Sequence, residues 1–138
     1  MTRINCVPVE TLSDKHLLAE YKEISRPFNK VQKRIEADTM SNINVAEHYI
    51  LGTGHETFFF DKLLYLHTRY VALIEELLHR DFNINVEQFE EISDWIVTTF
   101  EHTPYWNDWS PRPEDMYLNM ARLVKRSNFD AAKEEALS

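Results

Sequence analysis

The chain has 138 residues with 15 Lys/Arg against 23 Asp/Glu, a formal net charge of −8, and only two Gly beside five Pro. That length fits one domain over residues 1–138 with room to bury a core, and so little Gly argues against a turn-rich β architecture. No apolar run approaches the roughly 18 residues needed to cross a membrane, no secretory signal follows Arg3, and the single Cys6 excludes an internal disulfide and suits a reducing compartment.

In chain order the elements read as helices. Ser13 is an N-cap for a helix from about Asp14 to Ser25, ended by Pro27. Leu17, Tyr21 and Ile24 recur at i, i+4 and i+7 as its buried stripe, while His16, Glu20, Glu23 and Arg26 share a polar face. A second helix, Phe28 to about Ala37, lines up Lys30, Lys33 and Arg34. Residues 38–49, rich in Asn, Ser and Thr, read as loop. Gly52-Thr53-Gly54 then opens the longest helix, about Glu56 to Arg80. Its apolar face of Phe59, Leu63, Leu66, Tyr70, Leu73 and Leu77 makes it the expected central core helix, with Phe58-Phe59-Phe60 as core material.

A helix from about Val86 to Phe100 carries Glu87, Glu90, Glu91 and Asp94 outward. Thr103 to Pro113 is a loop holding Tyr105, Trp106 and Trp109. The last helix, about Pro113 to Ser127, ends in Arg122, Lys125 and Arg126, which suit both its C-terminal dipole and a phosphate backbone. Residues 128–138 are expected to fray. The fold class is all-α, a compact helical domain with a long central helix.

The charge is unevenly placed. Residues 1–35 hold seven Lys/Arg against four acids, and the remainder holds eight against nineteen. A basic island on an acidic body could focus an anionic partner onto one face. At the start, Met before a small residue such as Thr2 is normally trimmed, which would leave the Thr2 α-amine free. Such an amine has a reference pKa near 7.7–8.0, so a useful fraction is unprotonated near neutrality and able to form a Schiff base. His16, Glu20 and Glu23 have a spacing that could hold a metal, but no second ligand cluster exists and Arg26 on the same stripe would oppose a cation, so no metal is expected. Gly52-Thr53-Gly54 lacks the preceding strand and the Lys-Ser/Thr of a phosphate loop, which excludes nucleotide binding.

Three blocks carry a family resemblance. Thr2-Arg3-Ile4-Asn5 is followed by His16-Leu17-x-Ala19-Glu20-Tyr21-x-Glu23 and Arg26. Next comes Ile50-Leu51-Gly52-Thr53-Gly54-His55-Glu56-Thr57-Phe58-Phe59-Phe60-Asp61-Lys62-Leu63, with Arg69, Leu73-Ile74-x-Glu76 and Arg80-Asp81-Phe82-Asn83-Ile84 beyond it. The weaker third block is Trp109-Ser110-Pro111 with Ala121-Arg122-Leu123. In this order they resemble the phage pyrimidine-dimer DNA glycosylases of the endonuclease V type.

The resemblance implies a base-excision glycosylase with AP-lyase activity on UV-type pyrimidine dimers. Thr2 would supply the attacking amine, and Glu23 would relay protons and stabilise the cationic sugar. Arg3, Lys22, Arg26, Arg122 and Arg126 would contact DNA phosphates. Lys22 stands where the familiar member has Arg, a point charge in place of a bidentate fork. It implies no cofactor, a partner of double-stranded DNA with damaged bases, no membrane, a monomer, and a cytoplasmic location in a bacterium or phage-infected cell. The acidic body, and a tail of Ala131-Ala132-Lys133-Glu134-Glu135 where the familiar member has an aromatic and lysine segment, leave two alternatives. These are the same chemistry on another damaged or modified base, and a non-catalytic scaffold that binds DNA or protein.

Overall fold

The computed structural model describes residues 2–137; the side chains of 129 and 131–137 lie outside that description, and so does much of the stretch expected to fray. Five α-helices and three short 3₁₀ turns, with no strand among the described residues, make the fold all-α. None of those helices is long and apolar enough to cross a membrane.

Helix α1 (Asp14–Glu23) starts as its sequence dictates, with Ser13 Oγ accepting the His16 N–H at 3.2 Å. It ends two residues before the expected Ser25, and α2 (Arg26–Glu36) follows at once. Pro27 sits in the first turn of α2, where its missing N–H costs nothing and its fixed φ favours the helix. The proline expected only to end one helix therefore also begins the next.

The larger correction concerns the central helix. Gly52 and Gly54 adopt positive φ of 74° and 91°, and residues Thr57–Phe59 form a 3₁₀ turn. Helix α3 begins only at Leu63 and runs to His79. Phe58, Phe59 and Phe60 are all buried. Successive side chains of an α-helix point about 100° apart, so three in a row reach one core more readily from a tighter, irregular turn. The stripe of Leu63, Leu66, Tyr70, Leu73 and Leu77 is buried as its spacing requires, and α3 packs against α1 and α4 (Val86–Phe100). Helix α5 (Pro113–Leu137) continues well past the expected end at Ser127.

Around α3 the core gathers Phe28, Phe100, Leu17, Ile24 and Ile96, all fully buried. An aromatic cluster of Tyr49, His55, Phe58, Phe59, Tyr65 and Trp109 closes one side, Tyr49 stacking on Trp109 at 6.1 Å between centroids. Into this core runs the N-terminal segment: Thr2, Ile4, Asn5, Cys6 and Val7 are each at most 4% exposed.

Candidate active site

A buried segment outside helix or sheet must find partners for its backbone polar groups elsewhere. Side chains from every quarter of the fold supply them. The Arg3 N–H donates to Glu23 Oε1 at 3.1 Å. The Ile4 N–H donates to His55 Nε2 at 2.9 Å, and the Tyr49 hydroxyl donates to the Ile4 carbonyl at 3.0 Å. Asn119 Oδ1 accepts both the Cys6 and Val7 N–H groups, at 2.7 and 3.2 Å. Arg69 Nη1 donates to the Val7 carbonyl at 2.6 Å.

His55 must be neutral to do this. Its Nε2 accepts a proton-bearing nitrogen, so Nδ1 carries the ring proton and donates to the Ile50 carbonyl at 2.8 Å. Burial holds its pKa below the ordinary histidine value in spite of that carbonyl.

Glu20 is not the outward-facing partner of Glu23 that helical spacing implied. It is 2% exposed and receives Arg69 through a two-point fork, Nε to Oε2 at 2.7 Å and Nη2 to Oε1 at 3.0 Å. Its Oε1 also accepts Asn5 Nδ2 at 2.8 Å. Burial works against the Arg69 charge, but the Glu20 carboxylate outweighs it and raises the Arg69 pKa. Glu23, one helical turn on, keeps side-chain exposure of 23% and has the Arg26 guanidinium 3.8 Å from Oε1.

Above Glu23 lies a pocket of about 260 Å³ whose wall includes Arg3, His16, Arg122 and Arg126. A neighbouring cleft of similar volume is lined, among the described residues, by Arg3, Arg122, Lys125 and Arg126. Arg122 Nη2 donates to Asn5 Oδ1, while its Nε and His16 Nε2 are buried without hydrogen-bond partners among the described residues. Burial, reinforced by neighbouring cations, lowers the pKa of His16, so a neutral imidazole faces the pocket. Burial, with Arg3 adding to it, also lowers that of Arg122.

Of the residues singled out in the sequence, Arg3, Glu23, Arg122 and Arg126 meet at this pocket, and Thr2 is buried one residue from Arg3. Arg26 flanks Glu23 at the start of α2, and Lys22 is exposed on the last turn of α1, off the pocket wall. Asn5, His55 and Asn119 were not among the candidates; polar side chains scattered over so long a chain carry no spacing signal. Among the described residues no three His, Cys, Asp or Glu side chains group closely enough to hold a metal.

The fold thus gathers Arg3, Lys15, Arg122 and Arg126 with Glu20, Glu23 and Asp130 around one pocket beside the buried segment 2–7. A family model described as pyrimidine dimer DNA glycosylase matches residues 1–89, and the chain belongs to that family. It is accordingly a DNA repair glycosylase whose partner is damaged DNA. Glu23 and the segment it holds fall inside the matched span, while Asn119, Arg122 and Arg126 lie beyond it.

Proposed function

We propose that this protein excises pyrimidine dimers and then cleaves the strand as an AP lyase, through an imine on the α-amine of Thr2. The observation that carries the reading is the Arg3 N–H bond to Glu23 Oε1. It keeps Thr2 within one residue, roughly 3.8 Å of chain, of the atom that bonds the carboxylate.

With the preceding Met removed, the unprotonated Thr2 amine attacks C1′ of the damaged nucleotide. The C1′–N bond to the base breaks, the base takes the electron pair while staying joined to its dimer partner, and the sugar ring opens to an imine. Loss of a C2′ proton then expels the 3′ phosphate by β-elimination. Glu23 stabilises the positive charge that develops at the sugar and relays the protons. A neutral His16 at the pocket wall offers a second proton acceptor. Arg3, Arg122 and Arg126 face the pocket as phosphate contacts, with Lys22 and Arg26 gripping the flanking backbone.

The test is borohydride trapping on two duplexes, one with an abasic site and one with a thymine dimer, after intact mass has established loss of Met1. Adducts on both that map to Thr2 are the expected result. An adduct on the abasic duplex alone keeps the lyase and moves the glycosylase to another damaged base. A protein that begins at Thr2 and traps neither duplex has no imine chemistry.

A further inference from the structure

We propose that Asn119 is a positioning residue for the reaction: it sets the depth of the segment that carries the Thr2 amine and ties that depth to Arg122. The inference rests on the imine reading above.

Asn119 is fully buried on α5 and both polar atoms of its amide are bonded to the segment. Its oxygen accepts the Cys6 and Val7 N–H groups, and its Nδ2 donates to Asn5 Oδ1 at 2.7 Å. That same Asn5 oxygen accepts Arg122 Nη2. The opposite end of the Asn5 amide donates to Glu20, which is locked to Arg69. One α5 side chain therefore clamps three successive residues of the segment, and one turn further along the same helix stands a guanidinium that lines the DNA pocket. The rest of the segment's anchors come from α1, α3 and the 49–55 loop; Asn119, with Arg122 at the Asn5 oxygen, refers it to α5, and of the two only Asn119 holds the backbone N–H groups. A phosphate drawn to Arg122 is thereby held at a fixed distance from the chain that delivers the nucleophile, the near-attack placement on which intramolecular rates depend.

The choice of Asn follows from this geometry. Leu has the same branching at Cγ with bulkier ends, but no acceptor for two buried N–H groups and no donor to Asn5, so the segment would have to shift or leave them unpaired. Asp keeps the acceptor for the Cys6 and Val7 N–H groups but turns a second acceptor toward Asn5 Oδ1 where the donor stood.

The experiment compares wild type, Asn119→Leu and Asn119→Asp on an abasic duplex. Single-turnover trapping at saturating DNA, the duplex Kd and the pH–rate profile are measured, each on protein whose unfolding transition shows it folded. A displaced nucleophile predicts that Asn119→Leu traps roughly 10²-fold more slowly, with its Kd and the midpoint of its pH profile unchanged. Asn119→Asp, which keeps the acceptor for the two N–H groups and loses the bond to Asn5, falls between Leu and wild type. Loss of hydrogen-exchange protection confined to the Cys6 and Val7 amides accompanies the slow variant. If Asn119→Leu does not fold, Asn119→Ser, whose hydroxyl stops short of those amides, takes its place. Wild-type trapping with an unaffected Leu or Ser variant overturns the inference while leaving the imine reading intact. Wild type that traps nothing overturns the imine reading, and this inference with it.

Discussion

Glu20 and Glu23 lie one helical turn apart on α1 and both border the pocket, yet Glu20 is buried and locked to Arg69 while Glu23 is partly exposed beside Arg3. The difference assigns them different work. A buried carboxylate in a two-point fork with Arg69, also bonded to Asn5, fixes architecture. A partly exposed carboxylate that accepts one backbone N–H has lone pairs to spare for a substrate.

Removing one partner of the inner pair leaves the other charged and buried. Arg69→Met is expected to destabilise the protein by about 3–5 kcal/mol, and the double change with Glu20→Leu by much less. Urea unfolding of wild type and the two variants measures it. Equal losses in the single and double variants would mean that the pair is not the element that matters.

Glu23→Gln retains an oxygen for the Arg3 N–H but removes the negative charge. Strand cleavage is expected to fall by about 10²–10⁴-fold with duplex affinity kept. A gel nicking assay beside a binding titration separates the two, and full cleavage by the variant would remove Glu23 from the chemistry.

DNA engagement should carry the mark of counterion release. Arg122→Ala is expected to lower the slope of log K against log salt by about one and to weaken binding to any sequence alike. Lys22→Arg, which replaces a point charge with a fork, should tighten binding. An unchanged slope in Arg122→Ala would place that guanidinium off the phosphate path.

Stability should depend on pH through the buried histidines. His16, His55 and His67 all have pKa values held below 6.5, burial being the leading cause in each. The unfolded chain therefore binds more protons just below pH 6.5, and stability rises with pH across that window. It is complete above about 6.5 and declines as pH drops toward the folded-state values. His55 matters most, since protonation puts a donor where the Ile4 N–H needs an acceptor. Thermal unfolding from pH 7.5 down to 5 should show the decline, flattened in His55→Gln.

Cys6 is 4% exposed, and burial pushes its thiol up to about 12. Maleimide should fail to label the native protein at pH 7.5 and label it fully in denaturant. Rapid native labelling would mean that the N-terminal segment leaves the core.

What could be read in the sequence is what repeats locally. The α3 stripe from Leu63 to Leu77 and the Ser13 cap follow from spacing and residue type. The start of α3 did not, because Phe58-Phe59-Phe60 satisfies a helical pattern while its burial on all three sides demands a 3₁₀ turn. The site divided the same way. Thr2, Arg3, Glu23 and Arg122 stood out through a family pattern carried by short words. Glu20 was misplaced on the polar face because its partner Arg69 is 49 residues away, and Asn119 was invisible because its bond to Cys6 spans 113. Periodicity describes neighbours; these contacts join strangers.

The anchoring of residues 2–7 has a consequence for the order of folding. Sheet and helix bonds form between near or paired segments, but here the Cys6 N–H cannot be satisfied until α5 is in place, 113 residues later in the chain. Contacts of such separation carry the largest loop-closure cost and form late. During synthesis Cys6 leaves the ribosome long before Asn119 does, so the segment waits while the helices assemble around the space it will fill. On the proposed imine mechanism, a half-made chain would therefore carry the nucleophile without the means to aim it.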